Sequence, residues 1–196
     1  GDSGIPTTLK FELPPGTEVG KTLWPAPEII EVSGLVNYGY HNAVTLVAPL
    51  TGTLKGPFTL KANWLVCRDI CIPEKAEFKG ELPGNAGVQH IQATLQQLPQ
   101  PAKAHAEYVI DRDRVVIDFG LVGNVDAKIG SQSLIRWFPV EDGIISNSAA
   151  QTLSVNESKN EPATFSLVIP RGSADAIEEW HGILSVQTNA SAARTS

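Results

Sequence analysis

Cys67 and Cys71 are the two cysteines of the chain, and they lie in the run Trp64-Leu65-Val66-Cys67-Arg68-Asp69-Ile70-Cys71-Ile72-Pro73. An even count at so short a spacing invites a disulfide. Closing a loop of about five residues removes only about 2 kcal/mol of unfolded-state entropy, a weak staple for a chain of this size. The same shortness suits switching, because two thiols held close in the reduced state re-form their bond quickly. Three chemistries stand at this point: a redox-active pair, a static structural disulfide, and a metal site. The metal reading is thin. Zinc usually takes four ligands, and there is neither a second cysteine pair nor a methionine for copper(I). His41, His90, His105 and His181 are scattered, and His41 is the one a metal module would recruit. The spacing is C-x-x-x-C rather than the C-x-x-C of thioredoxins, and no βαβ pattern surrounds it.

The elements that position the pair read as strands. Phe58, Leu60, Ala62, Trp64 and Val66 alternate onto one face, the period-2 mark of a half-buried strand that runs up to Cys67. Residues 76–82 suggest a further strand after Pro73. The cysteines are therefore expected at a hairpin tip, joined by a disulfide across a three-residue connection, with at least one sulfur near the surface. Other strands are expected over residues 7–13, 28–32 and 43–50. Val88, Ile91, Leu95 and Leu98 form one helical stripe, so a helix is expected over residues 85–98, capped by Asn85 and stopped by Pro99.

After Pro99-Gln100-Pro101-Ala102, which reads as a linker, strand patterning restarts at residues 104–110, 114–119, 134–138, 151–155, 164–169 and 183–188. A short helix is expected over Ser173–His181. Short strands at this spacing point to β-sandwiches. The expected architecture is all-β: two immunoglobulin-like sandwich subdomains, residues 1–98 with the cysteines and residues 99–196, with short connecting helices.

Composition narrows the function. The 196 residues are 42% hydrophobic and 18% charged, which suits a packed core rather than disorder. Seventeen glycines and 14 prolines suit many turns. A net charge of −6 sets aside general nucleic-acid binding, since little basic surface exists to displace counterions from phosphates. No apolar run approaches the roughly 20 residues that cross a bilayer, which predicts a soluble piece. Position 1 is not methionine, so the numbering is expected to start on a processed or excised piece. There is no G-x-S-x-G, phosphate loop or H-E-x-x-H. Asp111, Asp113 and Asp118 read as solvated turn acids, and Asn156-Glu157-Ser158 as a chance glycosylation sequon.

Three runs together resemble a known family. They are Leu23–Glu28 (LWPAPE), Asn37–Asn42 (NYGYHN) and Trp64–Glu74 (WLVCRDICIPE). In this order they resemble the periplasmic N-terminal domain of the DsbD-like membrane thiol:disulfide interchange proteins, and most of all the ScsB branch linked to suppression of copper sensitivity. The resemblance covers roughly residues 1–82. The original DsbD domain spaces its cysteines more widely, so the geometry is carried over from the ScsB branch alone. The opening Gly1–Pro6 resembles a stretch inside the domain of relatives, so further strands are expected upstream.

The resemblance implies an electron relay. The membrane domain takes electrons from cytoplasmic thioredoxin and passes them to a thioredoxin-like domain of the same protein. That domain reduces the N-terminal domain, which reduces a periplasmic thioredoxin-fold partner, ScsC-like or a disulfide isomerase. It implies an immunoglobulin-like sandwich in which Cys67 and Cys71 are the redox pair, no cofactor besides them, and a periplasmic place as part of an inner-membrane protein. Tyr38, Tyr40 and Trp64 are candidates for shielding the pair. Arg68 would favour a thiolate, while Asp69 and Glu74 would disfavour it. Cys71 is expected to face the partner and Cys67 to resolve the mixed disulfide, because Pro73 favours a sheet edge beside Cys71; the resemblance implies the same order. The rivals are a copper- or metal-handling module using Cys67, Cys71 and His41, and a structural sandwich with a static disulfide.

Overall fold

A computed structural model describes residues 1–2, 5–84, 87–101, 104–111, 113–121, 134–156, 164–174 and 181–187. The chain divides into two compact units, Gly1–Pro99 and Gln100–Ser196.

The first unit is built from β1 (Thr8–Glu12), β2 (Thr17–Val19), β3 (Glu28–Val32), β4 (Leu35–Gly39), β5 (Leu50–Gly52), β6 (Gly56–Cys67), β7 (Cys71–Leu82) and α1 (Val88–Gln97). All strand pairs are antiparallel: β1-β6-β7 form one sheet, with β2-β5 and β3-β4 as two-stranded ribbons. Val32 and Val36 from the β3–β4 hairpin and Ala62 from β6 are buried, as is Thr94 of α1. The β3–β4 turn is Ser33-Gly34, both with positive φ (51° and 82°). That backbone matches the twist of a two-residue hairpin and favours glycine at Gly34.

The second unit contains β8 (Ala104–Ile110), β9 (Arg114–Leu121), β10 (Leu134–Pro139), β11 (Thr152–Asn156), β12 (Thr164–Pro170) and β13 (Gly182–Gln187). One sheet runs β11-β12-β9-β8, the other β10-β13. Alternation on β12 buries Phe165, Leu167 and Ile169, which join Val115 and Phe119 of β9 and Ile135 and Trp137 of β10 in one core. The rings of Phe119 and Phe165, opposite each other on β9 and β12, stack with centroids 5.5 Å apart. The Gln151 side chain acts as a surrogate strand, accepting from the Trp137 N–H at 2.8 Å and donating to its carbonyl at 2.9 Å.

The strand-rich, sandwich-like architecture bears out the all-β expectation. Several local expectations are corrected. Residues 43–50 form no strand: Val47 makes an isolated bridge to Leu23, and β5 begins only at Leu50. Its run of β-formers is interrupted by Pro49, which has no N–H to give a ladder. The helix starts at Val88 behind Gly87, not behind Asn85, and no side chain caps it. Strand β7 begins at Cys71 and carries Pro73 inside it. Strands β2 and β4 were not expected from the sequence. The helix expected over Ser173–His181 and the sequon at 156–158 lie largely outside the described residues.

Candidate redox site

Strand β6 is 12 residues long because its alternating apolar positions continue past the reach of β1, which pairs only with Thr59–Asn63. Beyond that point β6 and β7 run on as a two-stranded ribbon that ends in the turn Arg68-Asp69-Ile70. The Arg68 N–H donates to the Ile70 carbonyl at 3.2 Å. Antiparallel rungs alternate, so the next rung, Cys67–Cys71, is of the non-hydrogen-bonded kind, where facing side chains come closest. Its Cα atoms are 4.1 Å apart and its sulfurs are bonded at 2.11 Å. The expected disulfide at a strand-end hairpin is thus present. Continuing the alternation, Val66–Ile72 is a hydrogen-bonded rung and Leu65–Pro73 is not. The N–H that Pro73 lacks would have pointed away from β6, which is why this proline sits within the strand without breaking its ladder.

The same alternation sets the face. Cys67 shares its side of β6 with Lys61 and Asn63. The Lys61 ammonium donates to Glu12 at 2.6 Å, and the Asn63 amide donates to the Thr8 hydroxyl at 3.1 Å. The hydrogen bond from Lys61 and its charge hold the Glu12 carboxyl below its ordinary pKa. The disulfide therefore lies on the polar face of the sheet, and Trp64 lies on the opposite face with the buried Ala62. Both cysteines are half-buried, so burial does not divide them into a covered and an open sulfur.

Arg68 and Asp69 project from the turn with their side chains over 90% exposed, Arg68 Nε lying 3.9 Å from Asp69 Oδ2. Glu74 faces Trp64 across the ribbon, three rungs from the disulfide. Tyr38 pairs with Ile29 in the β3–β4 hairpin. The Tyr40 hydroxyl donates to the Pro25 carbonyl at 2.8 Å, and burial pushes its pKa up to about 12, so it remains a protonated donor. Tyr40 and Pro25, with His41, Glu28, His90 and Thr94, line a cleft of about 360 Å³ that neither cysteine lines. His41 Nε2 lies 3.9 Å from Glu28 Oε2. Among the described residues no three His, Cys, Asp or Glu side chains gather into a metal-holding group.

One residue at the site was not found in the sequence. The Ser33 hydroxyl donates to the Asp69 carbonyl at 3.0 Å, tying the β3–β4 turn to the loop between the cysteines. A Ser-Gly pair between two strands signals a turn, but its partner, 36 residues away, leaves no local mark.

Residues 4–83 match the family described as thiol:disulfide interchange protein DsbD, N-terminal. This segment is a DsbD-like N-terminal domain. It ends just past β7 and so holds the whole cysteine hairpin. The fold of the chain is similar to the crystal structure of the N-terminal periplasmic domain of ScsB from Proteus mirabilis, with a TM-score of 0.60 over 96% of this chain and 79% of that one. At 11% identity the likeness is one of fold. No curated protein sequence matches the chain. The DsbD-like segment, with its bonded pair on an exposed hairpin tip, is a thiol:disulfide interchange domain.

Proposed function

We propose that this domain is a protein-disulfide reductase module in an electron relay, in the periplasm and as part of an inner-membrane protein. The thioredoxin-like domain of that protein reduces Cys67–Cys71, and the resulting dithiol reduces a periplasmic thioredoxin-fold partner, ScsC-like or a disulfide isomerase. The Cys71 thiolate attacks the partner's disulfide, forming a mixed disulfide and releasing one partner thiolate. The Cys67 thiolate then attacks Cys71 Sγ, re-forming Cys67–Cys71 and releasing the second. Two electrons pass to the partner, and each released thiolate takes up a proton. The pair is its own cofactor. Arg68 favours the thiolate and Asp69 opposes it, at a turn open to solvent.

The observation that carries this reading is the bonded Cys67–Cys71 pair at the tip of the two-stranded β6–β7 ribbon. When Cys67 resolves the mixed disulfide, the leaving partner sulfur must lie in line beyond Cys71, away from Cys67. That direction leads off the outer side of β7, the end strand of the order β1-β6-β7. The opposite direction leads off β6, which β1 pairs only as far as Asn63, so the order of attack, Cys71 before Cys67, follows the family resemblance.

Trapping tests the assignment. Cys67→Ala should accumulate a mixed disulfide through Cys71 when offered an oxidised thioredoxin-fold protein; if Cys71→Ala is the variant that traps, the roles are reversed. A glutathione redox series tests the chemistry itself. A redox pair titrates reversibly, whereas a static disulfide resists reduction and a metal module releases protons when copper or zinc is added.

A further inference from the structure

Ser33 is an unusual residue for the place it holds. A two-residue hairpin turn with positive φ at both positions favours asparagine followed by glycine. Here φ is 51° at Ser33 and 82° at Gly34. Among residues other than glycine, asparagine, aspartate and histidine are the ones enriched in that left-handed region. Serine brings nothing to the turn itself. What it brings is a hydroxyl, and that hydroxyl donates to the Asp69 carbonyl at 3.0 Å, in the loop between the cysteines. The donor is firmly anchored. Val32 before it and Val36 after it are buried. Asp2 brackets the Val36 backbone, its N–H donating to the Val36 carbonyl and its carboxylate accepting from the Val36 N–H, both at 2.8 Å.

The cysteine loop has little else to hold it. Strand β1 pairs β6 only as far as Asn63. The last ladder hydrogen bonds before the turn belong to the Val66–Ile72 rung, because Cys67–Cys71 is a non-hydrogen-bonded rung. Beyond them stand the disulfide and the bond from the Arg68 N–H to the Ile70 carbonyl. Among the described residues, one hydrogen bond joins residues 68–70 to the rest of the unit, that of Ser33. Reduction removes the disulfide and leaves the turn to the other two.

The disulfide and the Ser33 bond support each other. While the disulfide stands, the turn is already ordered, and the Ser33 bond forms without further loss of chain entropy. In the dithiol the same bond must also order the turn. It is therefore stronger in the oxidised domain, and by the reciprocity of coupled equilibria it strengthens the disulfide by the same factor.

We propose that Ser33 is a positioning residue of the redox pair. Held on the Asp69 carbonyl, its hydroxyl keeps the turn closed and Cys67 within reach of Cys71, and so favours the closed disulfide over the open dithiol. Ser33 acts through the loop backbone and takes no part in the sulfur chemistry. The proposal rests on the redox reading above and deepens it by naming a residue that sets the poise of the pair.

The test is a glutathione redox series on the 196-residue chain, as wild type, Ser33→Ala and Ser33→Gly. Two glutathione thiols pass two electrons and two protons to the pair, one S–S bond breaking in the domain and one forming in glutathione disulfide. Alanine removes the hydroxyl and keeps a side chain in the left-handed turn, whereas glycine removes it and relaxes the turn. Both variants should be reduced about threefold more readily than wild type, a factor set by the modest net worth of one solvent-exposed hydrogen bond. The ratio of glutathione mixed disulfide to closed disulfide, read by mass spectrometry after acid quench, should rise by the same factor, because ring closure is the step that Ser33 favours. Hydrogen exchange across β3–β4 should match wild type; where alanine loosens that hairpin, the glycine variant alone decides. A midpoint that stays put in Ser33→Gly, or that moves toward harder reduction, overturns the proposal while leaving the redox reading intact. A wild type that does not titrate reversibly removes the redox reading, and this proposal with it.

Discussion

The two units are held together differently. In the cysteine-bearing unit the buried residues among those described are small: Pro14, Val32, Val36, Ala62 and Thr94. Its order comes from ladders, above all the 12 rungs of the β6–β7 hairpin, and from ties such as Ser33–Asp69. The second unit buries Phe119, Ile135, Trp137, Phe138, Phe165, Leu167 and Ile169 among others. A ribbon that presents a disulfide to another protein must stand clear of its own core, so its rigidity has to come from cross-strand pairing. Regions with few buried apolar contacts are also those that open most readily. The contrast teaches that exchange chemistry sits on the unit with the thinner core, while the other unit carries dense packing.

The largest expected effects test that contrast directly. Leu167→Ala, at a fully buried site, should destabilise the second unit by about 2–5 kcal/mol. Val36→Ala in the first unit removes fewer methyl groups from a thinner core and should cost less, about 1–2 kcal/mol. Urea unfolding gives the magnitudes, and hydrogen exchange assigns each loss to its unit. Equal costs at the two sites would break the comparison.

Next come the glycines that face aromatic rings. A Cβ on Gly182 would run into the indole of Trp137, so Gly182→Ala should cost about 1–3 kcal/mol. A Cβ on Gly80 would meet the Phe58 ring at 2.5 Å, but that ring lies on a half-buried ribbon and can swing aside, so Gly80→Ala should cost less. Reducing Cys67–Cys71 should cost at most about 2 kcal/mol, the entropy of a five-residue loop, and leave the β6–β7 ladder protected in hydrogen exchange. Collapse of that ladder on reduction would mean that the disulfide holds the unit together.

Much of this was legible in the sequence where periodicity and punctuation agree. The alternation from Phe58 to Val66 gave a strand ending at the first cysteine, and the short spacing gave a tip disulfide, because both signals are local. The stripe Val88, Ile91 and Leu95 gave the helix. Residues 43–50 misled, because β-propensity reflects a place to pack that propensity cannot itself reveal. Strand β7 is longer than its sequence suggests, because Pro73 looks like a stop until the rung it occupies is known. The Ser33–Asp69 tie, and the separation of Tyr40 and His41 into a cleft that no cysteine lines, are long-range facts with no local signature. The family resemblance over the first unit rested on three spaced motifs and was borne out by the match over residues 4–83. In the second unit no motif marked the core, and alternation alone pointed to its strands.

The smallest expected effect lies in the second unit and sharpens the contrast by being silent in the first. Glu141, just past β10, accepts from the His181 N–H at 3.1 Å through Oε2, and its Oε1 lies 2.9 Å from His181 Nδ1. The Val140 N–H donates to the His181 carbonyl at 2.8 Å, so these contacts close the end of the β10–β13 ribbon. Burial pushes the Glu141 carboxyl up, but the hydrogen bonds from the His181 ring and main chain, with that of its own N–H, outweigh it and leave the pKa below its ordinary value of 4.5. A carboxyl whose pKa is lowered by folding contributes stability that is fully present above the unfolded value and lost as pH falls through the folded one. Wild type should therefore lose stability below about pH 4.5 more steeply than Glu141→Gln, by less than about 1 kcal/mol, as for other solvent-accessible pairs. Urea midpoints measured from pH 6 down to pH 3 check this, with thiol exchange at neutral pH unchanged in the variant. Parallel curves would show that Glu141 does not stabilise the ribbon through its charge, and a change in exchange would show that the two units do not act separately.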